Sequence, residues 1–274
     1  MNIFLSGMKA FGITTLLLFA LLSSALSQES VNQSDDKGRK QGVWTKSFES
    51  GQERYRGQFK NDKPVGTFFY YYEDGAKSSE VVYVGEDGVE SNAKFFHKNS
   101  TVMGEGKYIN QQKVGVWKYY DDQTILSSVE PYKAGKLHGV SKVYFLNGKV
   151  AAETPYIDGL KTGAFTEYFS DGAVKIQGTY RDNTYDGDFV QFYADGKKMV
   201  EGQYVAAVKD GLWQYYADDG RLKAQQVYEK GEMVKVRIEE GFEAKEVPME
   251  LKEEDKMDEQ QLIDDYYKQT EEGK

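Results

Sequence analysis

Residues 211–231 read GLWQYYADDGRLKAQQVYEKG, and this stretch decides the fold. It opens on glycine, places Trp213 two residues later and Tyr216 five residues later, turns at Asp219-Gly220, and closes on Tyr228. Asp-Gly between two aromatic-rich runs predicts a β-hairpin through a type I′ turn, because both residues tolerate the positive φ such a turn needs. The same word returns at a fixed period. Glycines stand at Gly42, Gly66, Gly115, Gly139, Gly163, Gly187 and Gly211, 24 residues apart except for one gap of 49. That gap divides into a unit of 25 and a unit of 24 that starts at Ser91. Eight units therefore tile residues 42–234.

With the first residue of a unit as position zero, three columns carry the aromatic side chains. All eight units are aromatic at +17: Phe59, Tyr83, Tyr108, Tyr132, Tyr156, Tyr180, Tyr204 and Tyr228. Six are aromatic at +2 (Trp44, Phe68, Trp117, Phe165, Phe189, Trp213) and seven at +5 (Tyr71, Phe96, Tyr120, Tyr144, Tyr168, Phe192, Tyr216). A two-residue loop at +8 and +9 makes +2 face +15 and zero face +17. Alternation then puts +2 and +17 on one face and +5 on the other. Gly57, Gly106, Gly178 and Gly202 occupy +15, so the expectation is an aromatic ring lying over a cross-strand glycine of its own unit. Trp44, Trp117, Phe165, Phe189 and Trp213, with the eight +17 rings, form the expected structural ladder and the candidate interaction face.

No unit can bury its aromatic face alone, so units must stack side by side, each touching only its neighbours. The expected fold is all-β, an elongated single-sheet array of about eight hairpins. At ~4.8 Å per strand it forms a ribbon on the order of 75 Å long, coiled by strand twist.

The pattern Gly-x-Trp-x-x-Tyr-x-x-Asp-Gly, with a Tyr eight residues on and then Gly, resembles the MORN repeat in its bacterial variant form. Gly211 to Gly220 with Tyr228 and Gly231 is the cleanest copy, and Gly163 to Gly172 with Tyr180 is close to it. The resemblance covers residues 42–231. It implies a sheet of hairpins used for protein or lipid contact, and it implies no catalytic residues. Some bacterial members carry an antitoxin label; that label fits poorly, because an antitoxin meets its toxin inside the cell and this chain reads as exported. Three units depart from the pattern. The Ser91 unit has Ala93 at +2 and lacks Asp-Gly; the Gly115 unit turns at Gln123-Thr124; the Gly139 unit has Ser141 at +2. In a nearest-neighbour stack the Ser91 unit, after the only 25-residue spacing, is the expected weak point, with residues 85–100 the first to open.

Chemistry-bearing constellations are sparse. With no cysteine, thiol nucleophiles and thiolate zinc sites are excluded. His97 and His138 stand alone, and neither a Gly-x-Ser-x-Gly elbow nor a phosphate-binding glycine loop occurs. Carboxylates are numerous, so a glycosidase-like pair stays open by composition. Yet Asp74, Asp171, Asp195 and Asp219 fall at turns, where Asp is favoured for backbone reasons. Asp121-Asp122 and Asp218-Asp219 pair carboxylates without a Ca²⁺-loop spacing. The reading is a non-enzyme with no cofactor and no metal.

Outside the array, residues 10–22 (AFGITTLLLFALL) form an apolar run behind Lys9, followed by Ala25 and Ser27. That is a signal peptide over 1–27 cut before Gln28, too short to span a bilayer stably. Residues 28–41 read as a polar linker. Residues 233–238 (MVKVRI) alternate and open a closing strand assigned to 235–247, and 248–274 read as an acidic helical tail. In that tail Leu262, Ile263, Tyr266 and Tyr267 form an apolar stripe, which either docks as a cap or stays free as a partner-binding segment. Residues 28–231 carry a net charge of −2 and 232–274 a net of −8. A neutral body with an acidic tail disfavours nucleic acid and anionic lipid, which need clustered Lys and Arg.

The functional expectation is an exported, non-catalytic scaffold in the cell envelope that binds a protein partner, with no direct membrane insertion after signal cleavage. The alternatives are an envelope-polysaccharide module using exposed aromatic rows and an antitoxin-like protein partner.

Overall fold

The computed structural model describes residues 30–242. The expected signal peptide, residues 243–247 and the acidic tail expected to be helical lie outside the described residues. Among the described residues all regular structure is strand, twenty strands in one antiparallel sheet. Strands pair in sequence order as an open meander, with Lys136–Leu137 and Gly139–Tyr144, and Leu160–Lys161 and Gly163–Tyr168, each pair of segments acting as one interrupted strand. The sheet's edges are Gln33–Ser34 and Glu232–Ile238. The single-sheet hairpin array read from the repeat is the observed architecture.

Register within every unit follows the repeat. Gly211 faces Tyr228 and Trp213 faces Gln226. The same zero-to-+17 and +2-to-+15 pairing holds from Gly42↔Phe59 and Trp44↔Gly57 onward. The turn that sets it differs from expectation. The Ala217 N–H donates to the Arg221 carbonyl at 2.9 Å and the Gly220 N–H to the Ala217 carbonyl at 2.8 Å. Tyr215 pairs with Ala224 but Tyr216 with Leu222. This is a three-residue loop, a type I turn followed by one glycine with φ +90° that makes a bulge. Asp219 keeps negative φ because its Oδ1 accepts the Arg221 N–H at 2.9 Å, which holds it in the turn. The same bond recurs from Asp74, Asn147, Asp171 and Asp195.

Type I′ turns are present, but between units rather than within them. Positive φ at two successive residues occurs at Asn61-Asp62, Asn110-Gln111, Asp182-Asn183 and Ala206-Ala207, and with glycine second at Ala134-Gly135, Asp158-Gly159 and Lys230-Gly231. These are positions +19 and +20. Two Ala residues there carry no turn preference of their own, so the conformation is imposed by the paired strands.

The zero glycine is explained by the inter-unit pairing. Between the Gly187 and Gly211 units, Glu201 faces Gln214 and Gln203 faces Asp210, so residues 211–213 stand opposite Gly202 alone. Three residues against one form a bulge, and the first of them has positive φ. All seven zero glycines do, from +65° at Gly42 to +124° at Gly187.

The Ser91 unit has a structural account that narrows the weak-point expectation to its connection. Its approach uses a five-residue connection, 85–89, and then pairs without interruption from Val84↔Glu90 to Ser79↔Phe95. With no bulge, residue zero needs no positive φ, and Ser91 has none. The extra residue and the missing glycine are one change. Its turn is also intact. The His97 N–H reaches the Thr101 carbonyl at 2.9 Å, Ser100 takes the glycine's place at φ +70°, and Asn99 Oδ1 accepts the Thr101 N–H at 3.1 Å. In the Gly115 unit Thr124, at φ +69°, does the same.

Two boundaries shift. The linker is not all outside the sheet: Gln33 and Ser34 pair with Gln41 and Lys40, and Asp35 holds the loop between them through Arg39. The closing strand is Glu232–Ile238, ending well short of 247.

Candidate functional site

The two faces of the sheet have different chemistry. On the first, +2 and +17 rings alternate across unit boundaries. Trp117 lies edge-on between Tyr108 (4.9 Å between ring centres) and Tyr132 (6.5 Å); Trp213 sits likewise between Tyr204 (5.0 Å) and Tyr228 (6.4 Å), and Phe68 between Phe59 (5.1 Å) and Tyr83 (5.4 Å). Edge-to-face pairs at such distances add to the burial term. Of the thirteen candidate rings, Trp117, Tyr156, Phe165, Phe189, Tyr204, Trp213 and Tyr228 are buried. Trp44, Phe59, Tyr83, Tyr108, Tyr132 and Tyr180 are partly exposed and are the ones a ligand can reach. Burial raises the hydroxyl pKa of Tyr180, Tyr204 and Tyr215, so all three stay neutral.

The ring-over-glycine contact exists, but mostly across the unit boundary. A Cβ on Gly106 would lie 2.2 Å from Trp117, one on Gly202 2.3 Å from Trp213, and one on Gly57 2.2 Å from Phe68. In each case the ring belongs to the following unit. Only Gly178 is covered first by its own unit's Phe165, at 2.6 Å. The inter-unit bulge slides the next strand so that its +2 ring falls over the glycine. The indole N–H of Trp117 and of Trp213 then donates to the carbonyls of Lys107 and Gln203, both at 3.2 Å.

A lysine caps each tryptophan. Lys40, Lys113 and Lys209 put Nζ 4.6, 4.8 and 4.6 Å from the centres of Trp44, Trp117 and Trp213, and Lys161 stands 5.4 Å from Tyr180. Burial lowers the Lys113 pKa. The sequence reading missed these side chains, although a lysine two residues before each Gly-x-Trp (Lys40, Lys113, Lys209) was a visible signal. At +4, Glu167 and Gln191 are buried beside Ile176, and one side-chain oxygen of each has no hydrogen-bond partner. Desolvation pushes the Glu167 carboxyl up to about 7.

The second face carries the +5 row, all seven rings partly exposed. Carboxylates at +14 of the preceding unit anchor three of its hydroxyls. Tyr120 donates to Glu105 at 3.2 Å, Tyr168 to Glu153 at 3.2 Å and Tyr216 to Glu201 at 2.5 Å. Lys94, Lys142 and Lys198 pair with the same three carboxylates. On the same face, four residues along the strand from Tyr120, Tyr144 and Tyr216, Val116, Val140 and Leu212 at +1 are 56%, 49% and 48% exposed.

The residues inspected for catalysis or metal binding have structural partners. Asp74 and Asp219 are held below the usual carboxylate range chiefly by the backbone N–H groups of Ala76 and Arg221, and Asp195 by the Lys197 side chain. Asp121 is buried and its Oδ1 accepts the N–H groups of Gln123 and Ile125 at 2.9 and 2.7 Å. His97 Nε2 lies 3.0 Å from the Tyr120 carbonyl, tying one turn to the next, as the Tyr72 and Tyr193 hydroxyls do to the Phe96 and Tyr216 carbonyls. His138 pairs with Asp158 at 3.3 Å. Among the described residues no three His, Asp or Glu side chains gather into a metal-sized group, and no helix is long and apolar enough to cross a membrane.

Three consecutive segments, residues 137–158, 161–182 and 185–206, match the family model described as MORN repeat variant. No curated protein matches the chain.

Proposed function

Because the chain carries MORN-variant repeats, we propose that it is a non-catalytic binding protein, exported to the cell envelope, that holds a protein partner on the +5 face. The observation that carries this reading is the +5 row, one partly exposed ring in each of seven units, on the face that also exposes Val116, Val140 and Leu212. Aromatic rings and aliphatic chains exposed on one face, among charges already paired, match the make-up of a protein interface. A sugar ring stacks on aromatic faces and has little use for the aliphatic positions. Envelope polysaccharide is therefore the second reading, supported by the length of the row alone, and an antitoxin-like protein partner is a third.

The test is capture of partners from an envelope fraction by the wild type and by Val140→Glu/Leu212→Glu. Two desolvated charges at an interface core should abolish retention of a protein partner while the β signature in circular dichroism persists. Retention unchanged by the double variant removes this face from the reading. Binding to purified wall polymer at the same strength by both forms favours the carbohydrate reading.

A further inference from the structure

The first face is basic in an acidic protein. Among its strand positions lie Lys40, Lys46, Lys113, Lys161 and Lys209, against two carboxylates, Glu130 and Glu167. Glu130 already accepts the Tyr132 hydroxyl at 2.7 Å. Lys113, Lys161 and Lys209 recur every second unit, about 19 Å apart at the usual strand spacing, each beside rings of the ladder. The chain beyond Phe242 is complementary to this pattern, with twelve Asp and Glu against five Lys in residues 243–274.

We propose that the acidic segment 243–274 is the occupant of this face, its carboxylates meeting Lys113, Lys161 and Lys209 and its apolar stripe, Leu262, Ile263, Tyr266 and Tyr267, meeting Tyr180 and Tyr185, the partly exposed rings between Lys161 and Lys209. Reach agrees. The closing strand Glu232–Ile238 is two strands from Lys209, six from Lys161 and ten from Lys113, about 10, 30 and 50 Å, and the 32 residues 243–274 span about 48 Å even as helix. The twenty residues from Phe242 to Leu262 span about 30 Å even as helix. Tethering makes a weak contact sufficient, since a short linker gives an effective concentration in the mM range. Such a contact leaves the +5 face open. The inference is independent of the partner proposed for that other face.

Zero-length carbodiimide cross-linking of the full chain, followed by peptide mass spectrometry, tests it. Joins from Lys113, Lys161 or Lys209 to carboxylates within 243–274 are expected. They should fall several-fold in about 1 M salt, where the Debye length is about 3 Å, and several-fold in Leu262→Ser/Ile263→Ser, which leaves the sheet untouched. A mixture of light and isotope-labelled chains identifies the donor. Joins that are isotopically mixed assign the segment to a second copy and overturn the proposal. So do joins confined to Lys94, Lys118 or Lys142 on the opposite face, or no joins at all. Val140→Glu/Leu212→Glu should leave the pattern unchanged whatever it does to partner capture, so failure here and failure of the binding reading are separable.

Discussion

At the residue scale, stability rests on a few close contacts between large rings and absent side chains. Gly202→Ala puts a Cβ 2.3 Å from the Trp213 ring, and overpacking of this kind costs about 1–3 kcal/mol. Trp213→Ala, which empties a fully buried position, costs about 3–5 kcal/mol. Equilibrium denaturation measures both, and a neutral Gly202→Ala would mean that the ring is free to move aside. Glu167 makes a prediction about pH. Its carboxyl titrates at about 7 in the fold against 4.5 in a free chain, chiefly through desolvation. The unfolded chain therefore releases this proton first. The folded state keeps its full stability below pH 4.5 and loses it as pH rises through 7, by up to about 3 kcal/mol. Glu167→Gln should lift the melting temperature at pH 8 and leave it nearly unchanged at pH 4.5. An equal effect at both would refute the burial argument.

At the scale of the hairpin unit, the zero position separates two kinds of connection. Gly115 has φ +67° in an inter-unit bulge, whereas Ser91 sits in uninterrupted pairing. Gly115→Ala should cost about 1–2 kcal/mol, because a Cβ opposes left-handed backbone. Ser91→Gly, with no strain to relieve, should be destabilising by about 0.5–1 kcal/mol. Stabilisation by Ser91→Gly would show that the unit is a damaged copy after all. The intact turn and two-sided pairing also change the proteolysis expectation. Trypsin should cut Lys94 no faster than Lys161, Lys175 or Arg181, and early cleavage by a Glu-specific protease should fall at Glu86 in the five-residue connection. Preferential cutting at Lys94 would restore the weak-point reading.

At the scale of the whole molecule, an open meander has no long-range closure, so each unit is stabilised only by its neighbours and by the rings shared across each boundary. Far-UV dichroism of the chain should be dominated by β structure. Mass spectrometry of the exported product should find Gln28 at its N-terminus; retention of residues 10–22 would end the export proposal. The three units with tryptophan at +2 and lysine two residues before the zero glycine, at Gly42, Gly115 and Gly211, spread lysine-capped indoles along the array.

The repeat period, the all-β class and the zero-to-+17 and +2-to-+15 register were legible in the sequence. They follow from alternation within a strand and from a turn at a fixed offset, and both are local properties. The turn types were not. Asp-Gly is compatible with more than one turn, and the choice was made by the hydrogen bond that the Arg221 N–H donates to Asp219 Oδ1. The type I′ conformation went to pairs such as Ala206-Ala207, whose own chemistry does not ask for it. Which glycine each ring covers was also beyond local reading, because it depends on the bulge by which one hairpin slides against the next. Which rings stay exposed was decided in the same way. Composition marks +2, +5 and +17 alike as aromatic. Only packing across unit boundaries buries five of the six +2 rings and three of the eight +17 rings, while all seven +5 rings stay partly exposed on the face that carries Val116, Val140 and Leu212.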